Sequence, residues 1–286
     1  MERYGVNSVK DILRKHGIEL HKSMGQHFLI DPNIPEKIVR LSGIDKSCGV
    51  LEIGPGIGSL TLELSKAAHH VIAVELDNRL LPILRELFTD KSNVMIVHND
   101  ILKLDIFSLI SEIIPELRKH VCANLPYNIT TPVISALLDT GAFETITIMI
   151  QREVARRICA ASGTPEYGAF TLYVNYHAEP EILFDVPPEC FMPRPSVQST
   201  VLKLKNRSER LLAPKTEKVF FSLVRAAFAQ RRKTLENALY AAFSSLYSKA
   251  EITGILKECG FDPRLRGETL SIKDYTILAE GFSKVS

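Results

Sequence analysis

Val50-Leu51-Glu52-Ile53-Gly54-Pro55-Gly56-Ile57-Gly58 sets a glycine turn directly behind an apolar run and ahead of a helical pattern that begins near Ser59. Glycines tolerate positive φ and carry no Cβ, so a chain turning this sharply from strand to helix can approach a ligand with its backbone. Outward from this turn, short apolar runs alternate with helical patterns from residue 48 to residue 204. The strand candidates are 49–53, 71–75, 94–98, 121–124, 146–150, 170–176 and 197–204, and the intervening helices begin near Ser59, Asn78, Ile106, Thr131 and Arg152. This alternation predicts an α/β domain around a mainly parallel, seven-stranded sheet. No helical pattern separates the last two runs, which predicts an antiparallel strand at the edge.

Beyond Asn206 the periodicity becomes purely helical, over 217–228, 234–246, 249–259 and 273–282. The stretch 206–214 is polar and basic and ends in proline, as linkers do. The expected organisation is a catalytic domain over 1–206 and a small all-α domain over 207–286. At the other end, 9–16 reads as a helix, followed by a flexible arm to residue 25.

Composition narrows the function. The chain has 286 residues, 45% of them hydrophobic, with no apolar run long enough to span a bilayer and no leader-like start, which predicts a soluble cytoplasmic protein. Cys48, Cys122, Cys159, Cys190 and Cys259 lie far apart without metal-like spacing, so reduced thiols and no metal are expected. Net charge is only +2, but the segment 203–233 concentrates lysine and arginine, opposed only by Glu209 and Glu217. A local excess of that kind suits either phosphate binding or a solvated helix face.

A dinucleotide fingerprint would place a third glycine where this chain has Ser59. Glu52, just ahead of the turn, would repel a pyrophosphate and attract an amine or sulfonium, which favours S-adenosylmethionine over NAD. Glu75 ends the second run, where a carboxylate can accept from both ribose hydroxyls, and Asp100 follows the third, within reach of an adenine amine. Acids at three successive strand ends point to one shared ligand, because open α/β sheets bind ligands outside those ends.

The fourth run ends in Asn124-Leu125-Pro126-Tyr127, similar to the motif of methyltransferases that act on adenine N6. The N6 lone pair is delocalised into the ring and needs help. Acceptors at the Asn124 side chain and at a carbonyl near Leu125 would bind both amine hydrogens and favour a pyramidal nitrogen. Pro126 stiffens the loop and removes a competing donor. Tyr127 can stack on a base drawn out of its helix.

Together these segments resemble the ribosomal RNA adenine N6,N6-dimethyltransferase family, specifically its small-subunit (KsgA/RsmA) branch, from about Lys22 to the C-terminus. Gly25-Gln26-His27-Phe28-Leu29 is similar to the family's cofactor-covering motif, and Phe191-Met192-Pro193-Arg194-Pro195-Ser196-Val197-Gln198-Ser199 to its F-x-P-x-P-x-V-x-S. The resemblance implies a Rossmann-like class I methyltransferase fold. It implies cofactor contacts from Gln26, His27 and Leu29, from Glu52, Gly54 and Gly56, and from Glu75, Asp100, Ile101 and Asn124. It also implies base stacking by Phe191 opposite Tyr127. Ser196 stands where the family has lysine, so Arg194 is the charge expected there.

The related Erm-type branch methylates large-subunit RNA and shares the turn and the N-L-P-Y loop. Three segments are similar to the small-subunit branch instead, beginning at Gln151-Arg152-Glu153, Phe228-Ala229-Gln230-Arg231-Arg232-Lys233 and Asp262-Pro263-Arg264. The implied reaction is dimethylation of two adjacent adenines near the 3′ end of 16S rRNA, in a small ribosomal subunit or its precursor. Arg231, Arg232 and Lys233 would hold the RNA backbone. A monomer is expected, and an assembly role with dispensable catalysis is the remaining alternative.

Overall fold

All six residues of Cys48–Ile53, the strand behind the glycine turn, are buried, as a strand covered on both faces requires. The computed structural model describes residues 6–18 and 27–285. Of the arm expected over 17–25, residues 19–25, and Gln26 after it, lie outside the described residues. Contacts divide the chain into two units, one of 6–18, 27–155 and 179–206 and one of 156–178 and 207–285. The segment 156–178, expected in the first domain, therefore packs with the C-terminal helices.

In chain order the first unit runs α1 (Val6–Lys15), β1 (Phe28–Leu29), α2 (Asn33–Ser42), β2 (Cys48–Ile53), α3 (Ser59–Ala67) and β3 (His70–Glu75). It continues with α4 (Leu81–Leu87), β4 (Val94–His98), α5 (Ile106–Ile113), β5 (Arg118–Asn124), α6 (Thr130–Asp139) and β6 (Thr145–Gln151). After α7 (Arg152–Ile158) and α8 (Ala169–His177) come β7 (Ala178–Val186), β8 (Phe191–Met192) and β9 (Ser199–Asn206). The seven-stranded sheet has the order β4-β3-β2-β5-β6-β9-β7. Strands β2 to β6 pair in parallel, and β9 runs antiparallel to β6. β1 and β8 form a separate antiparallel pair, Leu29 opposite Phe191.

Local chemistry sets the boundaries. The Asp105 carboxylate accepts from the Ser108 N–H at 3.0 Å and so starts α5. Gly58 starts α3 with φ 83°, and a Cβ there would come 2.7 Å from the Phe88 ring. Gly58 thus supplies the close packing that a dinucleotide fingerprint assigns to a later glycine.

One strand was expected where a helix stands. Residues 170–176 are rich in β-branched and aromatic side chains, which favour strands, yet they form α8. The Gly168 N–H donates to the Thr171 hydroxyl at the helix start, and Leu172 and Tyr176, four apart, are buried on one side. The seventh strand is β7, which escaped notice because its Ala-Glu-Pro-Glu opening is polar and holds a proline that only an edge strand accommodates.

The second unit is built on α9 (Pro214–Ala229), with α10 (Leu235–Phe243), α11 (Lys249–Glu258), α12 (Ile272–Val285) and α8 around it. Its core holds Phe220, Leu223, Leu239, Leu256, Tyr275 and Phe282. The Asp262–Leu270 signature is structural. The carbonyls of Leu265 and Pro263 accept the first two N–H groups of α10, from Leu235 at 2.6 Å and Glu236 at 3.2 Å. Among the described residues no helix is long and apolar enough to cross a membrane.

A Cβ at Gly267 would lie 2.7 Å from the Ala227 Cβ, 2.9 Å from the Tyr275 phenol oxygen and 3.4 Å from the Ala227 carbonyl carbon. Gly267→Ala is expected to destabilise the protein by roughly 1–3 kcal/mol through overpacking. Urea denaturation checks this, and an unchanged midpoint would show that α9 and α12 yield at no cost.

Candidate active site

Strand order reverses between β2 and β5, the position at which open α/β sheets leave a crevice beyond their carboxyl ends. A cavity of about 530 Å³ opens there. Its wall brings together His27, Leu29, Glu52, Gly54, Gly56 and Glu75, with the whole Asn124-Leu125-Pro126-Tyr127 loop opposite.

The glycine turn has φ 66° at Gly54 and 61° at Gly56, both left-handed, and a Cβ at Gly56 would come 3.0 Å from Phe28. Glu75 ties this turn to its neighbour. One carboxylate oxygen accepts the Gly56 N–H at 3.1 Å and the other the Asp77 N–H at 2.8 Å. Burial raises the Glu75 pKa, and those two donors draw it back.

Glu52 is only 1% exposed, and its Oε2 has no hydrogen-bond partner. Burial pushes its carboxyl up to about 8; Thr61 draws it back, and the charge of Glu75 adds to the rise. A carboxyl held near neutrality this way ionises readily only when a cation joins it.

The catalytic loop is fixed at several points. Its Leu125 N–H donates to Met149 at 3.1 Å, and the Pro126 carbonyl accepts from the Ile129 N–H and the Thr130 hydroxyl, each at 3.2 Å. The Asn124 Nδ2 donates to the His27 carbonyl at 3.2 Å. Because a carbonyl only accepts, this contact orients the amide and leaves Oδ1 as its acceptor. The His27 Nδ1–H donates to the Pro193 carbonyl at 2.7 Å, and the ring lies 5.5 Å from that of Tyr127, tilted by 31°. The Tyr127 phenol shares a 2.7 Å hydrogen bond with the Ser199 hydroxyl. Burial raises the phenol pKa and this bond lowers it.

Other expected residues stand apart from the cavity wall. Asp100 closes the turn after β4, its Oδ1 accepting the Leu102 N–H at 3.0 Å and its Oδ2 lying 3.7 Å from Lys103 Nζ. Ile101 is buried beside it. Phe191, expected against a base, is 3% exposed within the core and paired through its backbone with Leu29. Its motif reaches the site through Pro193 and Ser199 instead. Arg194 is exposed and paired with Glu189 at 3.1 Å. Arg231, Arg232 and Lys233 are exposed on the turn between α9 and α10, in the second unit.

Sequence reasoning passed over Leu76, Asp77, Arg79 and His98 on the wall. Leu76 is 63% exposed, unusual for leucine, and Arg79 is held by Asp77 through Nε at 2.9 Å and Nη2 at 2.7 Å. All four follow or end β3 and β4, so the crevice rule itself was the available signal. Among the described residues no group of three or more histidine, cysteine or acidic side chains is placed to hold a metal.

Residues 17–278 match the family model described as ribosomal RNA adenine dimethylase. A ribosomal RNA small subunit methyltransferase A of Shouchella clausii is 46% identical over 271 residues, 94% of this chain and 92% of its own. Among solved structures, a dimethyladenosine transferase from Plasmodium falciparum has a TM-score of 0.79 at 26% identity, covering 90% of this chain and 98% of that one. The 23S rRNA methyltransferase ErmE has a TM-score of 0.70 at 26% identity, covering 90% and 99%. Fold and crevice are thus those of a Rossmann-like methyltransferase. The chain belongs to the ribosomal RNA adenine dimethylase family. It is an enzyme that uses S-adenosylmethionine to methylate adenine in ribosomal RNA.

Free Glu52 keeps its proton below about pH 8, and a cationic cofactor beside it favours the ionised form, so binding releases a proton. Affinity for S-adenosylmethionine is therefore expected to strengthen as pH rises toward 8, by up to about tenfold per unit. Glu52→Gln should flatten that dependence. Calorimetric titration in buffers of different ionisation enthalpy counts the proton, and an equally steep profile in the variant would remove Glu52 from the role.

Proposed function

We propose that this enzyme adds two methyl groups to N6 of each of two adjacent adenines near the 3′ end of 16S rRNA. It acts as a cytoplasmic monomer on the small ribosomal subunit or its precursor, and so contributes to ribosome biogenesis. Near-full-length identity of 46% to a small-subunit enzyme, against 26% to a 23S enzyme, favours this RNA over the large-subunit alternative.

The cavity fits the cofactor on its own terms. Glu52 offers a partnerless buried carboxylate oxygen to the positive charge of the methionine portion. The carboxylate oxygens of Glu75 keep lone pairs for the ribose hydroxyls beyond those used by Gly56 and Asp77. Gly54 and Gly56 take left-handed φ that side chains rarely adopt, a Cβ at Gly56 would press on Phe28, and His27 and Leu29 line the same cavity. Asp100 stands off this wall; its Oδ2 would meet the adenine amine by exchanging Lys103, while Oδ1 holds its own turn. S-adenosylmethionine, when bound, supplies an electrophilic methyl and departs as a neutral thioether.

Asn124 carries the catalytic reading. Its amide is oriented by the His27 carbonyl, so Oδ1 is the acceptor available to one N6 hydrogen of the target adenine. The Pro126 carbonyl is already doubly engaged, so the second acceptor falls to Leu125. Two acceptors on the amine hydrogens turn its lone pair toward the methyl, a preorganised polar contact at the reacting atom. Tyr127 provides the flat face for the extruded base.

Arg231, Arg232 and Lys233 lie on an exposed turn whose following helix is pinned by Pro263 and Leu265. A basic turn on a rigid mount suits RNA phosphates, which position a substrate without specifying a base. Arg194 adds a phosphate contact by exchanging its Glu189 partner.

Asn124→Ala is expected to lower kcat about a hundredfold or more while cofactor affinity stays near normal; near-normal turnover would remove Asn124 from catalysis. Replacing Arg231, Arg232 and Lys233 by alanine should weaken RNA binding and flatten its salt dependence. The deciding assay is methyl transfer to small and large subunits purified from cells lacking both modifications. Dimethylation near the small-subunit 3′ end is expected, and label confined to the large subunit would overturn the assignment.

A further inference from the structure

Ser199 is fully buried at the start of β9, opposite Gln151 of β6, in the interior of the seven-stranded sheet. A hydroxyl buried so deeply must find a polar partner or cost about 1–3 kcal/mol. Its partner is the Tyr127 phenol at 2.7 Å, across 72 residues of sequence. A second polar group therefore meets the base-facing ring at its far end, away from where the loop is anchored.

The mount is itself secured. The Arg152 N–H donates to the Gln198 carbonyl at 3.0 Å, and its guanidinium Nη1 donates to the Gln198 side-chain oxygen. Arg152 Nε also lies 3.4 Å from Asp185 Oδ2. The residue immediately before Ser199 is thus held by the first residue of α7. From the other side, the His27 ring rests against Tyr127 and is fixed by the Pro193 carbonyl of the same 191–199 segment.

A tyrosine ring held only at its Cβ rotates about two torsions, and loop mobility adds to that freedom. Reaction requires the base to lie within a few tenths of an ångström and about 10–20° of the productive geometry. A hydrogen bond at the phenol fixes the ring plane before the base arrives.

We infer that Ser199 is a positioning residue for methyl transfer, locking the Tyr127 ring through its hydroxyl so that the extruded adenine meets a preset face. This rests on Tyr127 being the stacking partner proposed above. It gives the F-x-P-x-P-x-V-x-S segment a task beyond its aromatic: the final serine sets the ring directly, and Pro193 sets it through His27. The phenol is then engaged with Ser199, which acts through it, and does not serve as an acid or base toward the substrate.

The test is a double-mutant cycle on methyl transfer to unmethylated small subunits, with cofactor affinity measured alongside. Ser199→Ala and Tyr127→Phe each remove the same bond from opposite ends. Each is expected to lower kcat about tenfold, the size of one lost buried hydrogen bond, with cofactor affinity unchanged. The double variant should be no slower than either single one. Losses that multiply, or a Ser199→Ala enzyme at the native rate, would overturn the inference. Should Ser199→Ala fail to fold, Tyr127→Phe alone decides, since it leaves β9 intact: a native kcat overturns, a tenfold loss supports. Tyr127→Ala separates the two levels. A near-native rate there sinks the stacking reading itself, whereas a collapse beside a native Ser199→Ala sinks only the role of Ser199.

Discussion

One carboxylate holds two loops together, and the cavity exists because they are held. Glu75 accepts Gly56 from the turn after β2 and Asp77 from the loop after β3, each with one oxygen. Without it, two adjoining stretches of backbone N–H would point into a space lined by Glu52, itself buried and lacking a partner on one oxygen. Burial raises the pKa of both acids, and the charge of Glu75 adds to the cost of ionising Glu52. With Glu52 kept protonated by its burial, the wall avoids a second unpaired charge, and the site becomes attractive to a ligand that brings positive charge.

The opposite wall obeys a different logic. The Asn124–Tyr127 loop carries no charge, and its precision comes from contacts made far away in sequence. His27 orients Asn124 with its carbonyl and braces Tyr127 with its ring. Pro193 and Ser199 in turn hold His27 and Tyr127. The residues that would touch a base are thus carried on a short loop but fixed by a sheet strand, which limits how far they can wander. Sites supported in this way retain their geometry better than sites left to loop packing.

Much of this was legible in the sequence, and the reasons differ by feature. Strands β2 and β3 announce themselves because buried parallel strands are largely apolar runs, and β4, β5 and β6 through the apolar residues they still carry. The glycine turn, Glu52, Glu75 and Asn124 to Tyr127 could be grouped because each ends a strand on the same edge of one sheet. Residues 170–176 misled because strand-favouring side chains there are overridden by packing against α9, where the Tyr176 and Phe220 rings lie 4.8 Å apart. β7 hid behind its proline and its glutamates. Phe191 was assigned by motif to the base, although its backbone pairs with Leu29 and its ring joins the core. The bracing of the loop by Ser199 and the His27 ring could not be read, because hydrogen bonds across 72 and 166 residues leave no periodicity behind.

The same geometry explains why position 124 carries an amide. An amide or a carboxylate at this position could accept an amine hydrogen. In this chain the side chain has a second duty, donating Nδ2–H to the His27 carbonyl at 3.2 Å. A carboxylate would set two acceptors against each other in a half-buried site, leaving that carbonyl without its donor at a cost of about 1–3 kcal/mol. It would also add a further carboxylate to a wall that already carries Glu52, Glu75 and Asp77, where burial already resists the ionisation of Glu52 and Glu75. The asparagine resolves both conflicts at once: its nitrogen satisfies the backbone of His27, and its oxygen remains free of charge yet able to bind the substrate amine. The acids gather the cofactor, and the neutral amide is left to orient the nucleophile.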